Sequence, residues 1–207
     1  MQITLLSITP DCERLIEAAG RTAYQSFDKQ SEGSEEKFIR MLIKAGHTSV
    51  LEHAWATIRI AGVSRALTHQ LVRHRLAAFT QASQRYVNEL DFHYVTPPAM
   101  AQNPEAKAVF DDLLEQSRQA YAKLKELGLR NEDARFVLPN AVASEIVVSA
   151  NLREWRHIIE LRGHPAAQWE IREAAIEILK TLSAHAPTVF EDLQIDEKKR
   201  AVRKKET

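Results

Sequence analysis

The chain has a single cysteine, Cys12, among 207 residues. One thiol forms no internal disulfide and no thiolate metal centre, and it fits a reducing compartment. Excess charge is also missing. The 28 basic and 28 acidic side chains leave a formal net charge of +0, so no diffuse positive field is available to hold nucleic acid or a membrane surface. No apolar run has the length of a signal sequence or a membrane span. The six glycines include no Gly-x-Gly-x-x-Gly, which removes the common dinucleotide fingerprint. No internal repeat is visible. What is present is a chain that is 44% hydrophobic, enough to bury one substantial core. The reading is a cytoplasmic protein with no nucleic-acid, membrane or metal partner.

Local pattern gives both element types. Residues 2–9 and 54–60 read as strands, the second broken by Gly62, and Thr9-Pro10-Asp11 supplies a cap for a helix to about Ala19. Further helices are expected from Ser34 to Gly46, and from Ser64 with Val63, Leu67 and Leu71 on one stripe. A longer one covers 104–127, with Phe110, Leu113, Leu114, Tyr121 and Leu124 inward, and two more cover 151–162 and 167–185. Phe92 to Val95 reads as a short strand before Thr96-Pro97-Pro98, Asn131 caps a short helix, and Glu145 to Ser149 is a strand or a buried helix. The expected fold class is α+β: one helix-rich domain over 1–195, with a central, mainly antiparallel sheet flanked by helices. A charged tail over 196–207 is expected to fray.

Arg73-His74-Arg75, then seven intervening residues and Ser83-Gln84-Arg85, is the most informative stretch. Like charges side by side repel, and arginines gain nothing in a core, so a phosphate or pyrophosphate would explain what folding alone does not. A solvated basic face is the plainer explanation for an arginine-rich hexamer. The flanks oppose it: Val63, Ala66, Leu67, Leu71 and Val72 before, and Leu76, Ala77, Ala78 and Phe79 after, put these cations at the edge of a buried element.

Two other blocks carry polar chemistry. His47-Thr48-Ser49-Val50-Leu51-Glu52-His53 holds two histidines and a carboxylate, but its spacing is not that of the His-Glu-x-x-His zinc helix. Residues bonded at an element end are an equally good reading of that block. In Asn151-Leu152-Arg153, with Arg162 further on, an offset of eleven at 3.6 residues per turn brings Asn151 and Arg162 within about 20° on one helix face, roughly 16 Å apart. One helix then addresses two ends of a bound pair of ligands. Surface arginines on an amphipathic helix are the plainer alternative.

Arg-His-Arg with its downstream Ser, the upstream Gly-His-x-Ser-x-x-Glu-His, Arg135 before Phe-Val-Leu-Pro139, and Asn-Leu-Arg followed by Ala-Gln-Trp-Glu-Ile resemble, in order and spacing, the flavin-dependent thymidylate synthases (ThyX). The resemblance runs from about Arg21 to Phe190. It implies reductive methylation of dUMP to dTMP, with methylenetetrahydrofolate as carbon donor and FAD and NADPH for reduction. It also implies that His47, Thr48, Arg73, His74, Arg75, Gln81, Asn151, Arg153 and His157 bind FAD. Gln70, Gln81, Ser83, Gln84, Arg85, Arg135 and Arg162 would hold dUMP. A homotetramer with active sites shared among subunits is implied as well. The chain departs from many relatives at Ala23, where a hydroxyl or thiol contact is absent, and from some at Ala166, where a histidine is replaced and His164 lies two residues earlier.

Within that expectation, Cys12 lies far in sequence from every nucleotide block and Ser83 is better used on phosphate, so a protein nucleophile is not expected. Arg162 is the expected catalytic residue, stabilising negative charge that develops on the N3–C2–O2 edge of the pyrimidine. Three other readings are a related flavoenzyme forming hydroxymethyl-dUMP, a flavin- or nucleotide-binding protein without turnover, and a nucleic-acid binder using Arg73 to Arg85. Neutral overall charge weighs against the last.

Overall fold

The computed structural model describes residues 1–205. In chain order the elements are β1 (Gln2–Ile8), α1 (Cys12–Thr22), α2 (Ser34–Lys44), β2 (Trp55–Ser64), α3 (Arg65–Leu71), β3 (Ala78–Gln81), α4 (Pro98–Ala101), α5 (Pro104–Glu126), α6 (Asn131–Ala134), β4 (Ala143–Asn151), α7 (Leu152–Arg162), α8 (Trp169–Ser183), α9 (Pro187–Phe190), β5 (Leu193–Asp196) and β6 (Ala201–Lys204). The fold is α+β, with an antiparallel sheet in the order β1-β2-β4-β3. Two compact units are present. The first comprises residues 1–60, 71–79 and 147–207, of which 206 and 207 lie outside the described residues; the second comprises 61–70 and 80–146.

In the first unit the β2 and β4 segments alternate buried with half-buried or exposed side chains, as a half-buried sheet requires, whereas β1 buries none fully. Ala56, Ile58 and Ile60 are buried from β2, and Val148 and Ala150 from β4. Thr57 and Ser149 share a hydroxyl hydrogen bond of 2.8 Å between those strands. Helices α7 and α8 pack on each other, α8 lies against β1, and α1 packs on α2. Gly20 makes that last approach possible, because a Cβ there would lie 2.6 Å from the Phe38 ring. In the second unit Phe92, Leu114 and Val142 form a core closed by Tyr94, Phe110 and Leu138.

Several local expectations are corrected. Thr9 does not cap α1. Its hydroxyl accepts from the Trp55 amide at 2.9 Å and so ties β1 to β2, while Asp11 enters the helix with φ 46° and no side-chain cap. Strand β2 continues through Gly62, whose φ of 67° is the local irregularity that glycine permits inside a strand. Leu113 is 52% exposed, because Phe110, Leu114, Ser117 and Tyr121 already fill the inner stripe of α5 and Leu113 points about 100° away from Leu114. Phe92 to Val95 contributes one bridge, Tyr94 with Val142, in place of a strand. Over 196–204 the charged tail is paired and not frayed, while its residues 206 and 207 lie outside the described residues: β5 and β6 pair antiparallel from Leu193–Lys204 to Asp196–Ala201, with Ala201 and Val202 buried.

Candidate active site

Helix α7 is capped by Asn151, whose Oδ1 accepts the amide of Glu154 at 2.8 Å, a cap of the kind asparagine favours. Leu152, Trp155, Ile158 and Ile159 are buried, and the Trp155 indole N–H donates to the Ala56 carbonyl at 3.0 Å. That anchored face turns Arg153, His157 and Leu161, four residues apart, to the exposed side. Arg153 pairs with Glu52 at 2.5 Å, and Arg162 ends the helix. After α3, a turn in which the His74 amide donates to Leu71 and the Ala77 amide to His74 leaves Arg73 and Arg75 exposed and His74 buried.

These segments line one cavity of about 1270 Å³, whose polar wall includes Arg73, Arg75, Asn151, Arg153, His157 and Arg162. Its apolar wall holds Trp55, Val72, Leu76 and Leu161, each at least 40% exposed. A second cavity of about 600 Å³ takes in Thr48 and shares Arg153 and His157 with the first. His47 is exposed at the entry to the short 3-10 helix Thr48–His53 and lines neither cavity.

The electrostatics correct one reading: Arg73-His74-Arg75 is not three cations. Burial, with Arg162 and His157 nearby, pushes the His74 pKa down to about 4. The Arg162 Nε–H donates to His74 Nε2 at 2.9 Å. A ring nitrogen that accepts carries no proton, so the neutral imidazole holds its hydrogen on Nδ1, 3.5 Å from Glu154 Oε1. Burial likewise raises the pKa of Glu154. Arg162 is lowered by burial and by Arg73, so the cavity concentrates positive charge that an anion relieves.

The remaining expected residues lie in the second unit. Gln81 Nε2 donates to Thr68 and Ser144 hydroxyls, each at 3.0 Å. The Ser83 carbonyl accepts the Tyr86 and Val87 amides in a tight turn, and Gln84 is buried. Gln70 Nε2 donates to the Ala66 carbonyl at 3.2 Å. Glu132 joins two arginines, its carboxylate accepting from Arg85 at 3.1 Å and its carbonyl from Arg135 at 3.2 Å. Arg65 also faces Arg135, and burial and that neighbour lower its pKa.

The family profile described as "Thymidylate synthase complementing protein" (Thy1) matches residues 4–188. The chain is 42% identical over 201 residues to the flavin-dependent thymidylate synthase of Corynebacterium glutamicum, covering 89% of this chain and 80% of that one. It belongs to the flavin-dependent thymidylate synthase family. A second member, from Nitratidesulfovibrio vulgaris, is 43% identical, with 93% and 89% covered. The structure is similar to Thymidylate Synthase X (ThyX) from Helicobacter pylori with FAD and dUMP, at a TM-score of 0.79 and 26% identity over 93% of this chain and 98% of that one.

Sequence reasoning within the family pattern missed Glu154, Trp55 and Arg65. Glu154 lies directly after Asn151-Leu152-Arg153, and its position three residues past the cap is a usable signal. Trp55 and Arg65 carried none, since only the fold sets Trp55 beside Arg153 in the cavity and Arg65 beside Arg135.

Proposed function

We propose that this chain catalyses the reductive methylation of dUMP to dTMP, with methylenetetrahydrofolate as carbon donor and FAD and NADPH for reduction. The observation that carries the reading is the cavity in which Arg73, Arg75, Arg153 and Arg162 face exposed apolar side chains. Cations beside apolar walls suit a ligand that is both anionic and planar aromatic, and the donor set fits FAD. Arg73, Arg75 and Arg153 hold its phosphates, Trp55, Leu76 and Leu161 offer apolar surface to its rings, and Asn151, His157 and Thr48 border the site. His47 joins this set on the family pattern alone. When bound and reduced, FAD would supply the hydride.

Arg162 acts on the pyrimidine. C5 attacks an electrophile only when the ring is electron-rich, and a guanidinium fixed in place stabilises negative charge on the N3–C2–O2 edge without reorganising. With Nε held by His74, the Arg162 guanidinium is fixed at the cavity wall to meet this edge. A protein nucleophile has no support: Cys12 is buried, its Sγ lies 3.7 Å from the His185 carbonyl, and burial raises its thiol to about 11. Gln70, Gln81, Ser83, Gln84, Arg85 and Arg135 contact dUMP, with Ser83 and Arg85 on its phosphate, in a cytoplasmic homotetramer whose subunits share active sites.

The test is turnover with dUMP, methylenetetrahydrofolate and NADPH on protein loaded with FAD. Formation of dTMP supports the proposal. Release of hydroxymethyl-dUMP, or flavin binding without any nucleotide product, contradicts it.

A further inference from the structure

We propose that His74 is a positioning residue for Arg162: its Nε2 accepts the Arg162 Nε–H and thereby sets which edge of the guanidinium meets the substrate. This rests on the reading in which Arg162 works on the pyrimidine, and it gives the middle residue of Arg73-His74-Arg75 a task other than holding flavin phosphates.

The geometry carries it. The hydrogen bond is 2.9 Å long and spans 88 positions of sequence. His74 is 4% exposed, so its ring offers little surface to a ligand. The His157 ring packs edge-on against it, with centroids 5.5 Å apart and planes at 68°. On the other side Nδ1 faces Glu154 Oε1 at 3.5 Å. An imidazole held between a carboxylate at Nδ1 and a guanidinium at Nε2 has one useful tautomer, with the proton toward Glu154 and the lone pair toward Arg162.

Among the described residues, the charged and titratable groups around it are Arg162, His157 and Glu154 from α7, with Arg73 and Arg75 as chain neighbours. Burial, Arg162 and His157 all disfavour the charged ring, so it remains an acceptor at neutral pH. A protonated Nε2 would set donor against donor and release the guanidinium from its bearing.

The experiment combines kinetics and histidine nitrogen NMR on the FAD-loaded full chain, comparing wild type, His74→Leu, His74→Gln, Arg162→Ala and the double variant His74→Leu with Arg162→Ala. His74→Leu should lower kcat for dTMP roughly tenfold or more, the loss expected for one hydrogen bond to a charged group, with a smaller change in the KM for dUMP. FAD content and flavin reduction by NADPH should stay at the wild-type level. His74→Gln, which places an acceptor oxygen near Nε2, should recover most of the lost turnover. In the Arg162→Ala background His74→Leu should cost nothing further. Wild-type spectra should show a proton on Nδ1, and the His74 pKa should rise in Arg162→Ala. Loss of FAD from both His74 variants, a full additional loss in the double variant, or a proton on Nε2 overturns the proposal. If Arg162→Ala is impaired while His74→Leu is not, this inference alone fails; if Arg162→Ala keeps full turnover, the reading of Arg162 fails and this one with it.

Discussion

The Val202 amide donates to the Gly163 carbonyl at 2.7 Å, so the residue that follows Arg162 is pinned by the C-terminal hairpin. A Cβ at Gly163 would lie 2.6 Å from the Ile159 carbonyl oxygen and 2.6 Å from Val202 Cγ2. The carbonyl belongs to the preceding helical turn and has little freedom to yield. Gly163→Ala should therefore destabilise the protein by about 1–3 kcal/mol, the usual cost of overpacking. Chemical denaturation measures it, and an unchanged midpoint would contradict the close approach.

His74 also sets a pH dependence of stability. Its folded pKa of about 4 lies below its ordinary 6.5, so the unfolded chain binds this proton more readily in between. Stability from the neutral ring is full above 6.5, declines as pH falls, and is lost below about 4. At about 1.36 kcal/mol per pKa unit the loss approaches 3 kcal/mol. Glu154, raised by burial, acts in the opposite sense. Subtracting the stability curve of His74→Gln from that of wild type isolates the imidazole. A flat difference between pH 7 and 4 contradicts the assigned charge state.

Cys12→Ser should retain turnover within a few fold. The thiol is buried with a raised pKa, and its Sγ reaches the His185 backbone carbonyl, so the expected effect is a stability loss of about 1 kcal/mol. A hundredfold drop in kcat in a folded, FAD-loaded variant would restore nucleophilic catalysis to consideration.

Arg73→Ala should weaken FAD more than dUMP, by about 1.5–3 kcal/mol for one desolvated contact to a charged group. Flavin fluorescence and nucleotide titration separate the two. Equal losses would contradict the assignment of Arg73 to FAD.

Legibility followed the range of the interaction. Asn151 caps the helix that Arg162 ends, so their joint presence at the cavity depends on one local element, although Asn151 itself is the extended last residue of β4 and not part of the helical face that the spacing implied. The charge state of His74 was not legible, because it depends on burial and on Arg162, 88 positions away. In the hairpin, Ala201 and Val202 are two apolar residues within a charged run, and the turn before them uses Arg200 at φ 44°, a conformation no local pattern announces. The strand β3 was hidden for a related reason: Ala78–Gln81 is only four residues long, immediately after a motif that drew attention for its charge.

The role of Arg162 is tested most directly by comparing dTMP formation with NADPH-driven flavin reduction in Arg162→Ala and Arg162→Lys. Loss of one preorganised donor should cost the chemical step about 2.7–4 kcal/mol, which is roughly a hundred- to a thousandfold in kcat. Lysine should rescue poorly, since a point charge neither reproduces the planar fork nor presents the Nε–H that His74 accepts. FAD content and its reduction should be near wild type in both variants. Near-normal dTMP formation in both, or loss of FAD from both, would contradict the placement of Arg162 on the pyrimidine.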